Sequence, residues 1–562
     1  MIDRNDLWYK DAVVYCLDVE TFQDSNGDGI GDFRGLTRRL EHVAGLGASC
    51  LWLLPFFPTP NRDNGYDVTD YYAVDPRLGS LGDFVDFVRA ARERGLRVII
   101  DLVVNHTSVD HPWFQAARRD PASPFREYYV WSEEEPEDLR EGMVFPGQQE
   151  TVWTYDELAG AWYMHRFFPH QPDLNVASPA VRDEIRKIMG FWLELGVSGF
   201  RIDAAPFLVE LKGIAAHEAD GYEHGDAPHD LIERMREFLQ WRRGDAVLLA
   251  EANIEMDEVP QYFGEGDRMH LLFHFMANQH LFLALAREEA APLARGLAAP
   301  PAIPRVCQWV NFLRNHDELD LGRLADDERR DVFDAMGIEP DMVLFDRGPR
   351  RRLPPMLGGD RRRLELAYSL LLALPGTPVL RYGEEIGMGD DLSLEGRDAV
   401  RTPMQWSPDD GGGFSTAPRE RHVRPIVENG AYGYRALNVR DQRGDPESLL
   451  HWMSRMVQLR RRCPELGWGR WEVLDGGDPA VFALAVEWHG GVVVTLHNLA
   501  GEPREAAVDL SRWAGAPRLD LLDHGAEGPV GQEPQRVTLE PYGYRWWRLG
   551  EDDATYPRES ER

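Results

Sequence analysis

Short apolar runs rich in β-branched residues recur along the chain, separated by stretches in which apolar residues return every third or fourth position. The first pattern reads as buried strands and the second as amphipathic helices, so their alternation predicts βα units around a parallel sheet. The runs fall at residues 12–17, 50–54, 97–104, 199–202, 246–250, 271–275, 306–312 and 377–380. Eight such units predict a (β/α)8 barrel, an α/β fold. Helices are expected between them, for example at 81–93 and 180–195, each followed by a glycine.

The rhythm breaks twice. After the third strand, residues 106–175 are rich in Pro, Trp, Tyr and Glu and too long for an ordinary connection, which predicts an inserted B domain. After a helix at 449–462 the pattern changes to short alternating strands with Gly, Pro and Asp turns, the mark of an antiparallel β-sandwich domain. The expected organisation is barrel (1–105), B domain (106–175), barrel (176–465), C-terminal β domain (466–549) and a polar tail (550–562).

Composition narrows the function. The 562 residues carry 62 Lys plus Arg against 95 Asp plus Glu, a net charge of −33. A field of that sign disfavours nucleic acid and anionic membrane surfaces and leaves neutral ligands open. The positive charge is almost all arginine, the lysines being Lys10, Lys187 and Lys212, a bias that a GC-rich genome or a saline habitat would each produce. Cys16, Cys50, Cys307 and Cys463 match no metal-ligand spacing and read as free thiols in a reducing compartment. With no signal-peptide pattern and no run long enough to span a bilayer, the expected location is the cytoplasm.

Working residues of (β/α)8 barrels sit at the C-terminal ends of the strands. Those positions hold Asn105 and His106, Arg201 and Asp203, Glu251, and His316 and Asp317. Three carboxylates from three strands would meet at one mouth, which suits retaining glycoside hydrolysis with an ionised nucleophile and a protonated acid. Arg201 shares a strand face with Asp203 and should keep it ionised as the nucleophile. Glu251, among other negative charges, should have a raised pKa and serve as acid and then base. Asp317 would bind sugar hydroxyls, with His106 and His316 as hydroxyl partners. A separate stretch, DSNGDGIGD, places Asp24, Asn26, Asp28, Ile30 and Asp32 at positions 1, 3, 5, 7 and 9 of an EF-hand-like calcium loop. Gly35 stands where the twelfth-position Glu would be, so the loop would be a βα connection binding one Ca2+.

DLVVNH, GFRID, AEAN and FLRNHD, with QPDLN at 171–175, resemble the conserved regions of the α-amylase family, glycoside hydrolase family 13. LWYKDAVVY, LWLLPFFPTPNRDNGYDV and VRTPMQW resemble its trehalose-synthase branch. The resemblance implies Asp203 as nucleophile, Glu251 as acid/base and Asp317 as the third carboxylate. It implies that Asp63 and Arg401 pair to grip O4 of the glucose, that Tyr66 stacks beneath it, and that Gln171, Asn253 and Glu318 belong to the substrate site. A second calcium would use Asn105, Asp173, the carbonyls of Phe207 and Leu208, and Glu210. No organic cofactor is expected, and a homodimer is compatible with the resemblance. Relatives of that branch close their site with an Arg in the stretch matching EGMVFPG; here that position is Gly142, with Arg140 the nearest candidate. The loop AAHEADGYEHGDAPHD also departs from the branch. A less enclosed site favours water or an outside acceptor over a trapped glucose. The leading expectation is therefore a retaining, exo-acting hydrolase or transglucosidase of small α-glucosides. Isomerisation of maltose to trehalose is the close alternative, and a catalytically silent carbohydrate-binding protein is a rival of another class.

Overall fold

The computed structural model describes residues 7–137, 139–140, 142–208, 229–523 and 525–550. Eight parallel strands close into a barrel: β1 (Val14–Leu17), β2 (Cys50–Leu53), β3 (Arg97–Leu102), β4 (Gly199–Ile202), β5 (Val247–Ala250), β6 (Leu271–Phe273), β7 (Gln308–Phe312) and β8 (Thr377–Arg381). Each occupies one of the eight expected runs. The β3 ladder stops at Leu102, although Val103 and Val104 remain fully buried, because apolar burial continues past the last pairing bond. Gly199 takes φ 148° where a Cβ would stand 2.3 Å from the Val247 carbonyl, so the close approach of β4 to β5 requires glycine there.

The side chains alternate in direction along each strand and fill two regions. Those pointing out, such as Tyr15, Leu51, Ile100 and Leu248, pack under the surrounding helices in the main core. Those pointing in, such as Val14, Trp52, Ile99 and Leu249, form the barrel's own interior. The helix Leu81–Glu93 starts on a Ser80–Asp83 capping box, which satisfies two free N–H groups of its first turn. The insertion after β3 carries the helix Pro112–Arg119 and a three-stranded sheet of Trp131–Ser132, Ala161–Met164 and Trp153–Asp156. The C-terminal part holds a six-stranded sheet and the two-stranded sheet Arg504–Val508 with Gln535–Leu539. In its strand Val481–Trp488, Phe482, Leu484 and Val486 face the barrel while Val481, Ala483 and Ala485 face the small sheet. Burial on both faces explains why that strand is almost continuously apolar. All four cysteines are buried and free. Among the described residues no helix is long and apolar enough to cross a membrane.

Candidate active site

The C-terminal ends of β3, β4, β5 and β7 bring the predicted carboxylates to one cavity of about 790 Å3, lined among others by Asp63, Tyr66, Asp203, Glu251 and Asp317. Arg201 organises its floor. Its guanidinium is 1% exposed and reaches Asp203 at 2.7 Å, Asp101 at 2.9 Å and Glu251 at 2.6 Å. Sharing one cation holds the Asp203 and Glu251 carboxyls close together, the arrangement of a retaining pair. The chain turns sharply after the first of them: Ala204 takes φ 49°, a strained conformation for a residue with a Cβ. That turn aims the Ala204 N–H at Glu251 Oε2, 3.3 Å away. Because Oε2 also accepts from Arg201, the proton of a neutral Glu251 belongs on Oε1.

The electrostatics separate the carboxyls. Burial raises Asp203 to about 6 although Arg201 pulls the other way. The sequence predicts that Arg201 lowers this carboxyl and keeps it ionised; desolvation outweighs the cation and raises it instead, yet Asp203 is still mostly ionised at pH 7. Burial raises Glu251 to about 7, against Arg201 and with help from Asp203 and Asp317. Asp317 lies well below the usual carboxylate range; burial opposes its charge, but Arg397 and Arg401 outweigh burial. At neutral pH the site holds one ready nucleophile, one half-protonated acid and one firmly ionised carboxylate.

Of the other predicted substrate residues, Asp63, Tyr66, His106, Asn253 and Glu318 line the cavity. Gln171, Arg201, His316 and Arg401 stand behind it and position others. Gln171 donates to Asp63 at 2.8 Å. His316 stacks on Tyr66 with an interplanar angle of 7° and shares a 2.8 Å hydrogen bond with its hydroxyl, so it faces the tyrosine rather than a sugar. Arg401 donates to Asp317 at 2.7 Å and to the His316 carbonyl at 2.7 Å. Asp63 and Arg401, expected to grip one sugar hydroxyl together, are held by Gln171 and Asp317 respectively, with the Arg401 charge still acting on Asp63. His106 places Nε2 3.1 Å from the Tyr66 carbonyl and packs edge-on against Phe167.

Sequence reasoning missed Asp101, which accepts from Trp52 at 2.6 Å and from Tyr66 at 2.8 Å. Its signal was available, since it opens DLVVNH at the end of β3. Arg397 was also missed, although it stands one helical turn before Arg401; it meets Asp317 at 3.2 Å and Glu318 at 2.8 Å. The third omission is an aromatic pair in the cavity wall. Phe145, from the insertion, packs on Phe345 with ring centroids 4.4 Å apart, and Arg397 lies 5.3 Å over both rings. Arg347 lies over the same rings and hydrogen-bonds the Val144 carbonyl. Phe345 and Asp346 both take positive φ, the tight turn that tips the ring inward. Arg140 is exposed and does not line the cavity. A Cβ on Gly142 would stand 1.7 Å from Arg166 Nη1, so the Arg166 guanidinium fills the space a side chain at 142 would enter.

The loop predicted to bind calcium carries oxygen donors, the set a hard cation takes, and turns at Gly29 with φ 97°. Its oxygens meet the loop's own donors: Asp24 accepts from the N–H groups of Asn26, Gly27 and Gly29 and from the Ser415 hydroxyl. Asp28 accepts from the Ile30 N–H, and Asp32 from the Ser25 and Gly35 N–H groups. At the second expected site the Asn105 amide nitrogen donates to Asp173 at 3.4 Å, where a cation would need an oxygen; Glu210 lies outside the described residues. With their oxygens turned to the loop's own N–H groups, the Asp side chains of the 24–32 loop do not gather as a metal cluster, and among the described residues no three His, Cys, Asp or Glu side chains do; a cation at the loop would draw Asp24, Asp28 and Asp32 inward beside the Asn26 oxygen and the Ile30 carbonyl. The loop spanning AAHEADGYEHGDAPHD lies almost wholly outside the described residues as well.

A closed parallel barrel whose mouth pairs an ionised aspartate with a raised glutamate on one guanidinium defines a retaining glycoside-processing enzyme. The chain belongs to the α-amylase family, glycoside hydrolase family 13: residues 18–336 and 342–469 match the alpha amylase catalytic domain. Residues 490–548 match the sucrose hydrolase-like C-terminal domain. The chain is 42% identical to a trehalose synthase of Pimelobacter sp. over 98% of its length and 97% of the relative's. It is also 42% identical to the trehalose synthase/amylase TreS of Mycobacterium tuberculosis, over 98% of the chain and 92% of the relative. Among solved structures, the alpha-amylase of H. orenii superposes with a TM-score of 0.76 at 26% identity, covering 96% of this chain and 99% of that one.

Proposed function

We propose that this enzyme interconverts maltose and trehalose, with hydrolysis as a side reaction. This reverses the order of the sequence-based expectation, and the full-length likeness to relatives named trehalose synthase supports the reversal. Supporting it is the Phe145–Phe345 pair in the wall of the catalytic cavity, held by Arg347 and Arg397, which this reading takes as a roof over the sugar. Asp203 attacks C1 of the non-reducing glucose while Glu251 gives its proton to the glycosidic oxygen, which leaves a glucosyl-enzyme ester and free glucose. Under the roof that glucose turns and presents its anomeric hydroxyl. Glu251 takes the hydroxyl proton as the oxygen attacks C1, and Asp203 leaves. A covered site raises the chance that glucose, not water, completes the transfer.

Incubation with maltose is expected to accumulate trehalose with little glucose; glucose as the main product would reject the proposal. Phe345→Ala opens the roof and is expected to raise the hydrolysed fraction by about two- to tenfold, the factor corresponding to about 0.5–1.5 kcal/mol for an aromatic pair.

We propose further that the 24–32 loop takes one calcium ion, supported by its oxygen-only donors and its turn at Gly29, and that the ion stabilises the fold without entering the chemistry. Added calcium is expected to raise the melting temperature of chelator-treated protein by several degrees, with about one ion bound per chain by elemental analysis. No bound calcium and an unchanged melting temperature would remove the site.

A further inference from the structure

A second cavity, about 890 Å3, opens at the end of the barrel opposite the catalytic mouth. Its walls include Lys10, just before β1, and Cys307, just before β7, so it sits beneath the N-terminal ends of the strands. The facing wall carries Trp468, Trp471 and Trp488. The catalytic cavity uses none of these three.

Trp468 and Trp488 stack on each other and the Lys10 ammonium lies 5.5 Å over the Trp468 ring, so the indole left exposed to a ligand is Trp471. Trp468 and Trp488 lie with ring centroids 6.1 Å apart at an interplanar angle of 28°. The Trp468 ring is fixed by its Nε1 donating to Asp11 at 2.9 Å. Trp471 pairs with Val486 across the edge of the six-stranded sheet, which puts it on the same sheet face as Trp488, two residues further along. Its side chain is 39% exposed.

Lys10 supplies the polar element. It is 6% exposed, and its Nζ makes one hydrogen bond among the described residues, 3.0 Å to the Cys307 carbonyl. An ammonium has three N–H groups; the Trp468 ring, 5.5 Å from Nζ, takes part of the remaining capacity as a cation–π contact, and the rest is buried at the cavity wall. Burial without a carboxylate partner is costly for such a group and is relieved by a ligand that brings acceptor oxygens. Arg470 and Glu487 oppose each other at the rim and offer donors and acceptors of both signs.

The ligand chemistry follows. A flat apolar face for the exposed indole, surrounded by hydroxyls for Lys10 and the mixed rim, describes a pyranose ring. The volume is that of a small-ligand site rather than a protein docking face. The lining carries both signs, Lys10, Arg305, Arg470 and Arg512 with Glu472 and Glu487, which can donate to and accept from the hydroxyls of a neutral ligand. We infer that this cleft is a second, non-catalytic carbohydrate site that holds glucosyl units of an α-glucan chain. The choice of α-linked glucose, though not of a sugar, rests on the proposed function.

Electrophoresis of the native enzyme through gels containing glycogen, and titration with maltoheptaose, test the inference. The wild-type enzyme is expected to be retarded by glycogen. Trp471→Ala, at the exposed position, and Lys10→Met are each expected to weaken maltoheptaose binding roughly tenfold and to lose the retardation. Their turnover of maltose is expected to stay within about twofold of wild type, because neither residue approaches the catalytic cavity. Absence of retardation in the wild type, or equal retardation in both variants, would overturn the site. A wild type that binds glycogen through Trp471 but makes no trehalose would overturn only the proposed reaction.

Discussion

Asp203→Asn is expected to lower maltose turnover by roughly four orders of magnitude or more, because no other group can form the glucosyl ester. The fold is expected to survive, with melting temperature as the control. Burial raises the Asp203 carboxyl to about 6, above its ordinary 3.8. The native state therefore binds that proton more tightly than the unfolded chain does. This stability is fully present below pH 3.8 and is lost as the pH rises through about 6. Above that, the wild type keeps a buried negative charge that the amide does not carry. Arg201 keeps Asp101 and Glu251 as partners in the variant. The melting temperature of Asp203→Asn is thus expected to equal or exceed that of wild type at pH 7.5, with the advantage gone near pH 4. Turnover within tenfold of wild type would remove Asp203 from the chemistry, and a collapsed fold would contradict the electrostatic account.

Much of this site was legible because barrels reveal their working positions through period and place. Each strand is a short apolar run, and the residue after the run faces the mouth, so Asp203 and Glu251 could be named before any coordinates. What stayed hidden depends on pairing between residues far apart in sequence. That Arg401 binds Asp317 and Gln171 binds Asp63 depends on partners 84 residues away for one bond and 108 for the other. The aromatic pair was illegible for the same reason: Phe145 and Phe345 lie on loops with no periodic pattern and meet only in three dimensions. Gly142 shows the limit from the other side. Reading it as a lost arginine overlooked Arg166, whose guanidinium reaches the vacated space from 24 residues further along the chain. The acidity, by contrast, identified no catalytic residue. Within the mouth it matters through the few carboxyls held around Arg201, and burial, rather than the overall charge, leads the upward shifts of Asp203 and Glu251.

The second large effect belongs to Glu251→Gln, which is expected to lower kcat/KM for maltose by about 10²- to 10⁴-fold, the range for loss of a general acid–base. The wild-type profile of kcat/KM is expected to be a narrow bell. Its acid limb lies near 6, where Asp203 gains the proton that blocks attack, and its alkaline limb near 7, where Glu251 loses the proton the leaving group needs. In the variant the alkaline limb disappears and the acid limb stays. Azide separates the two carboxyl roles, because it attacks C1 without needing a base. Added to Glu251→Gln with an activated α-glucoside, whose leaving group needs no proton, it is expected to restore turnover and release α-glucosyl azide, since Asp203 still forms the ester and inversion occurs twice. Added to Asp203→Asn, it can only displace the leaving group directly, which inverts once and gives the β-anomer. The same anomer from both variants would show that the carboxyls have been assigned the wrong way round or that neither forms the ester.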